Sequence, residues 1–272
     1  MAGETQRRDE SRGAALVGAA LPSDQHPEPA VAGAALKATV IVGVTALCIA
    51  AMLALGMGFG REVWLTRAFG VTLFGSDVYL GTWFLFMCMP VVGFGVPCLV
   101  IRRVFREKLE DYGLTLGDSR PGVVALLAAV PALVTLPLIS SAIGTEHYYD
   151  YLLLPSFVVP WKIAFHLTSY AAFIFGYEFL IRGFLLIGLA RAWGGDRRAR
   201  LAALAVSAVL APLIFIGTPP LVFVLSFAIF AWIGGPLALR TRSIMYFAFI
   251  EWTLGIWSDA WEIIKLNARF PG

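Results

Sequence analysis

The stretch Tyr177-Glu178-Phe179-Leu180-Ile181-Arg182-Gly183 sets an acid and a base inside an apolar run that extends from Trp161 to Trp193. At about 1.5 Å per residue a helix over that run is roughly 50 Å long, more than the hydrocarbon core of a bilayer. It must tilt, protrude or break, and Gly176 and Gly183 are the positions at which a break is expected. A charged side chain near the bilayer centre costs on the order of 3 kcal/mol on insertion scales, so such residues face a protein interior or a wet cavity and mark function by default. Glu178 and Arg182 are four residues apart, which puts them on one helix face, about 40° apart in projection and in the order that favours an ion pair. Either they form a buried pair that seals a bundle, or they belong to a reactive site.

Composition agrees with a membrane setting. Of 272 residues, 59% are hydrophobic and 14% charged, where a soluble domain carries about a quarter charged residues. The expected fold is an all-α, polytopic membrane helix bundle with about seven transmembrane helices. A net charge of +3 makes no case for nucleic acid. Cys48, Cys88 and Cys98 lie in apolar segments without a CxxC or Cys/His cluster, so neither a disulfide nor a zinc framework is expected. Residues 1–36 are rich in Ala, Gly, Pro and charge, lack the apolar core and cleavage site of a signal peptide, and read as a disordered cytoplasmic tail.

The first span is expected over 37–58, followed by an amphipathic interfacial piece over 61–74. Span two, 78–101, contains Pro90 and Pro97 and stops at Arg102-Arg103, and a polar connector over 106–120 reads as a short surface helix and a turn. Span three covers 121–143, and the aromatic connector after it holds His147, read as an exposed loop residue. Residues 37–159 form the N-terminal membrane region. Residues 160–264 form a four-helix core: span four over 161–193, span five over 200–216, span six over 221–239 and span seven over 243–264. Gly217-Thr218-Pro219-Pro220 makes a turn before span six, Gly234-Gly235-Pro236 interrupts that span, and 265–272 is a short tail. Seven spans place fifteen of the twenty-one Lys and Arg residues on one side and five on the other, with Arg182 inside the membrane. Cytoplasmic loops hold the excess, so the N-terminus is expected inside and the C-terminus outside.

Three more polar residues accompany Glu178 and Arg182. Glu251, on span seven, either joins their site or hydrogen-bonds locally as a neutral acid. Asp259, a little over two turns further on, either lines the same cavity nearer its outer end or sits at the interface. His166 precedes Glu178 by twelve residues, about 18 Å along one helix, so the two cannot share a metal unless the helix breaks, and a hydrogen-bonded structural histidine is expected.

These residues resemble a known family, the CPBP intramembrane proteases, which include type II CAAX prenyl endopeptidases and bacteriocin-processing or immunity proteins. The family's first motif is Glu-Glu-x-x-x-Arg, and here Glu178 and Arg182 match while Tyr177 replaces the first Glu. Leu239-Arg240-Thr241-Arg242-Ser243-Ile244 is similar to the family's Leu-Arg-Thr-x-Ser-Leu/Ile lead-in to its last core helix. The late catalytic His position then falls on Glu251, and Trp252 and Asp259 resemble a subset with His-Trp and a later Asp. The other family His falls at Phe215 or Ile216. The resemblance covers about residues 160–262. It implies a bacterial inner-membrane protein, with Glu178 as the base that activates water and Arg182 as its orienting partner. It also implies a divalent, zinc-like metal or an oxyanion-stabilising group supplied by histidines, which this chain lacks at both positions, so no cofactor is expected.

Three functions follow as expectations. The first is a non-catalytic relative, with Glu178, Arg182 and Glu251 at its centre and Tyr177, Phe215, Trp252 and Asp259 lining a cavity, that binds membrane lipid, a lipidated or transmembrane peptide, or a partner membrane protein. The second is an active intramembrane endopeptidase using Glu178 as base. The third is a proton-linked small carrier using Glu178, Glu251 and Asp259 as a relay, for which the sequence shows no internal repeat.

Overall fold

A computed structural model describes residues 28–58, 77–135, 138, 160–216 and 221–269. The chain divides into an N-terminal unit ending at Ala34 and a body running from Ala35 to Gly272. Among the described residues all regular structure is helical. The interfacial piece over 61–74, His147 and the Gly217–Pro220 turn lie outside the described residues.

Helix α1 (Glu28–Gly58) starts upstream of Lys37, so the expected tail gives way to helix earlier than its composition implies. Helix α2 runs from Asp77 to Met89 and continues through π-wound Pro90–Gly95, a short α segment, Val96–Leu99, and π-wound Val100–Phe105. The two prolines are absorbed by this change of winding rather than by a break, as neighbouring carbonyls re-satisfy the ladder. Helix α3 (Ser119–Ala129) is capped by Asp118, whose carboxylate accepts the Arg120 N–H. Helix α4 begins with Pro160–Glu178, winds as a π-helix over Phe179–Ile187 and ends with Gly188–Ala192. It is one unbroken rod through Gly176 and Gly183. Helix α5 (Arg197–Leu210) is capped by Asp196 and tightens into a 3-10 turn over Ala211–Phe215. Helices α6 (Leu221–Thr241) and α7 (Met245–Arg269) complete the order.

Four helices are long and apolar enough to cross a membrane, over Gly33–Leu55, Trp83–Phe105, Trp161–Ala192 and Arg197–Phe215. The expectation of seven is therefore met only in part. Among the described residues α3 and α6 supply shorter apolar stretches, Ser119–Thr135 and Phe227–Thr241, and α7 dilutes its apolar run with Glu251 and Asp259. The expected interruption of span six does not occur, since α6 passes through Gly234, Gly235 and Pro236 without a break. The glycines serve contact instead: a Cβ on Gly234 would strike the Phe247 ring, and one on Gly235 would strike Leu204.

Helix α4 is central. Its most apolar window is 89% buried inside the protein, against about a third for the crossings of α1 and α5. Gly93 of α2 faces Gly176 of α4 so closely that a Cβ on Gly176 would lie 2.7 Å from the Met89 carbonyl oxygen. Helices α5, α6 and α7 pack around the rest of α4, and α3 leans on α6 and α7. The Leu239–Ile244 stretch forms the α6–α7 turn: the Thr241 hydroxyl donates to the Leu237 carbonyl (2.8 Å) and accepts the Ser243 N–H (3.2 Å), while Ser243 Oγ accepts the Met245 N–H (3.1 Å).

The connector after α2 gathers several chain ends at one end of the bundle. Lys37 of α1 pairs with Glu107 (2.6 Å), Tyr112 donates to Glu107 (2.7 Å), and Arg191 at the end of α4 reaches Asp111 (3.1 Å). Asp118 N–H donates to Thr241 O and Ile244 N–H to Gly113 O. Tyr112 is fully buried there, against the expectation of a purely surface connector. Burial pushes the Glu107 carboxyl up, but the Lys37 and Tyr112 hydrogen bonds and the Lys37 charge outweigh it and hold the group below the ordinary carboxylate range. Arg106 and Arg242 adopt left-handed backbone, φ 57° and 55°, where a glycine would avoid a cost of about 1–2 kcal/mol.

Candidate functional site

The π-wound segment of α4 carries Arg182, and every polar partner of the site is arranged around that guanidinium. Glu178, one turn earlier, contacts Arg182 Nη1, and Glu251 Oε2 of α7 lies 3.9 Å from the same nitrogen. Arg182 Nη2 donates to the Phe230 carbonyl of α6 (2.7 Å), and the guanidinium stands 3.9 Å above the centroid of the Phe247 ring. A cation over an aromatic face gains about 2 kcal/mol or more when desolvated. Glu178 is fully buried, Arg182 is 1% exposed and Glu251 7%. Three helices are thus pinned through one side chain, α4 to α6 through Phe230 and to α7 through Glu251 and Phe247.

The pairing is not saturated. Glu178 Oε2, Glu251 Oε1, Tyr177 Oη and Arg182 Nε are buried without a hydrogen-bond partner among the described residues. Tyr177 points its ring into an aromatic wall. Its edge meets Phe215 at 5.6 Å and Phe227 at 5.7 Å, and those two stack at 3.7 Å. Phe215, one of the two positions at which the resemblance would place a histidine, is taken up by this ring packing.

The structure brings Glu178, Arg182 and Glu251 together, with the Tyr177 ring beside them and packed on Phe215. Asp259 and Trp252 do not join them. Asp259 accepts or donates at His166 Nε2 (3.0 Å), and both are buried. Since His166 lies about 18 Å along α4 from Glu178, Asp259 belongs to a separate site and does not line the Arg182 centre. The reason is registry: two further turns of α7 carry Asp259 past Glu251 to the level of the first turns of α4. Trp252 donates its indole N–H to Leu167 O (3.1 Å), clamping the same end of α4 to α7.

The Phe230 carbonyl and the Phe247 ring were not foreseen. Phe247 had a signal, since it stands four residues before Glu251 and shares its face. The Phe230 carbonyl had none, because main-chain acceptors leave no mark in a sequence.

A divalent cation does not fit this donor set. The two carboxylates that would hold it already flank a guanidinium, no histidine joins them, and no group of three metal-binding side chains occurs among the described residues. Chemically the centre is an acid–base–acid triad in which one guanidinium is shared by two carboxylates and anchors three helices. Comparison with protein-family models, with curated proteins and with solved structures returned no match.

Proposed function

We propose that this chain is a non-hydrolytic membrane protein of the CPBP intramembrane-protease type, with α3, α6 and α7 also crossing the bilayer and the N-terminus in the cytoplasm. The old reactive centre serves as a structural triad, and the protein acts by binding a membrane-embedded partner, a lipidated or transmembrane peptide or a membrane protein. One observation carries the reading: Arg182 stands between Glu178 and Glu251, both shut away from solvent. A base that activates water needs access to water and a free lone pair aimed at it, and Glu178 is fully buried against its own cation. With Glu251 in a histidine's place, that position offers a carboxylate and not a positive group to a developing oxyanion.

The carrier reading has less support. His166, Tyr170, Phe173 and Tyr177 stack in succession along α4 at 6.1 to 6.5 Å, which at first joins the Asp259 site to the Arg182 site. Phe173 has no polar atom, so the ladder is a packing seam and not a proton path.

The test compares cells that lack the protein with cells carrying either wild type or Glu178→Gln. Wild type and Glu178→Gln are expected to restore the same phenotype and to yield the same inventory of membrane-protein termini. A cleavage product that depends on Glu178 overturns the proposal and reinstates the endopeptidase.

A further inference from the structure

We infer that the end of α2 forms a binding site for the phosphate group of an anionic phospholipid. The crossing helix Trp83–Phe105 ends at a cleft of about 410 Å³ lined by Arg102, Arg106 and Lys108 together with Glu107, Leu109 and Glu110. All three cations are exposed, and among the described residues none is in an ion pair. Glu107 is occupied by Lys37 and Tyr112. The cleft therefore presents three uncommitted cations against the single carboxylate of Glu110.

Position identifies the ligand's source. The last turn of a bilayer-crossing helix lies at headgroup depth, and basic pockets beside such helices are where anionic headgroups lodge. Apolar surface for the acyl chains is also present, since Val91, Val96, Leu99 and Val104 are exposed along the same helix that ends at the cleft. Arg106 supplies the second observation. It occupies a left-handed helix-ending position, its N–H closing on the Ile101 carbonyl, where glycine is the usual residue. That conformation turns the chain back so that Arg106 and Lys108 join Arg102 around one cleft. This inference depends on α2 crossing a membrane and not on the state of the Arg182 triad.

The experiment uses full-length protein in neutral detergent, titrated with phosphatidylglycerol, phosphatidylcholine or inorganic phosphate while its thermal midpoint is followed. Phosphatidylglycerol is expected to raise the midpoint of wild type, and the other two to leave it unchanged. The triple variant Arg102→Gln/Arg106→Gly/Lys108→Gln is expected to need about a hundredfold more phosphatidylglycerol, roughly fivefold per cation removed. Glycine at 106 keeps the left-handed turn; if the triple variant has no cooperative transition, Arg106→Gly alone is read, with an expected fivefold shift. The control Arg197→Gln/Arg198→Gln/Arg200→Gln changes an equal charge elsewhere and is expected to titrate like wild type. An unshifted triple variant, an equally shifted control, or an equal response to phosphatidylcholine or free phosphate overturns the assignment.

Discussion

Replacing Arg182 by methionine tests the reading of the triad directly. The variant keeps most of the side-chain volume but leaves Glu178 and Glu251 buried without a countercharge, the Phe230 carbonyl without its donor and the Phe247 ring without its cation. At 3.9 Å and an effective dielectric constant of about 20, the Arg182–Glu251 attraction alone is about 4 kcal/mol. The loss has a ceiling, because an orphaned carboxylate can take up a proton: at pH 7, neutralising an ordinary Glu costs about 4 kcal/mol. Removing one partner of a buried pair usually costs about 3–5 kcal/mol, and Arg182→Met is expected in that range. The same reasoning makes the deficit depend on pH, since at pH 5 neutralisation costs only about 1 kcal/mol per carboxyl. Denaturant unfolding in detergent micelles, followed by tryptophan fluorescence at pH 7 and pH 5, measures both quantities. Glu178→Leu/Arg182→Met/Glu251→Leu, which removes all three charges, is expected to recover most of the loss. If Arg182→Met falls within about 1 kcal/mol of wild type at pH 7, or the triple variant is no better than the single one, the carboxylates are not held as argued.

Other expectations concern packing, the second polar site and the connector. Gly176→Ala is expected to lose about 1–3 kcal/mol because its Cβ would press on the backbone of α2 at Met89. Gly43→Ala, with nothing within 4 Å, is expected to be neutral or up to about 1 kcal/mol stabilising in the same unfolding assay. Asp259→Ala is expected to lose about 1–3 kcal/mol by removing a hydrogen bond of the buried His166, without altering the phenotype that the protein restores. Because the folded Glu107 pKa lies below its unfolded value, the stability that Glu107 contributes is complete above the unfolded pKa and is lost as pH falls through the folded one. A pH series through the acid range is expected to show that decline in wild type and not in Glu107→Gln.

The membrane character, helices α1, α2, α4 and α5 and the Glu178–Arg182 pair were legible because hydropathy and the spacing of four need only local information. Glu251 was legible as a residue in need of a partner, because an unpaired carboxylate in an apolar run demands one, but the choice between Arg182 and a local hydrogen bond was open in the sequence. The fate of Asp259 was not, since it depends on how far α7 slides along α4, a property of packing. Gly234-Gly235-Pro236 read as a break because those residues weaken helices in water. The bundle uses the same missing side chains to admit Phe247 and Leu204. The π winding of α4 was equally hidden, because no residue type specifies it.

The two carboxylates of the triad also differ in when they become usable. Glu178 and Arg182 lie on one helix, so α4 emerges from the ribosome already carrying its own countercharge and can partition into the bilayer as a neutral unit before α5, α6 and α7 exist. Glu251 has no cation one turn to either side of it on α7. Its cation in the triad is Arg182, on a helix made earlier in the chain. Assembly of the triad therefore has a direction, from a central helix that carries its own pair to a later one that depends on it.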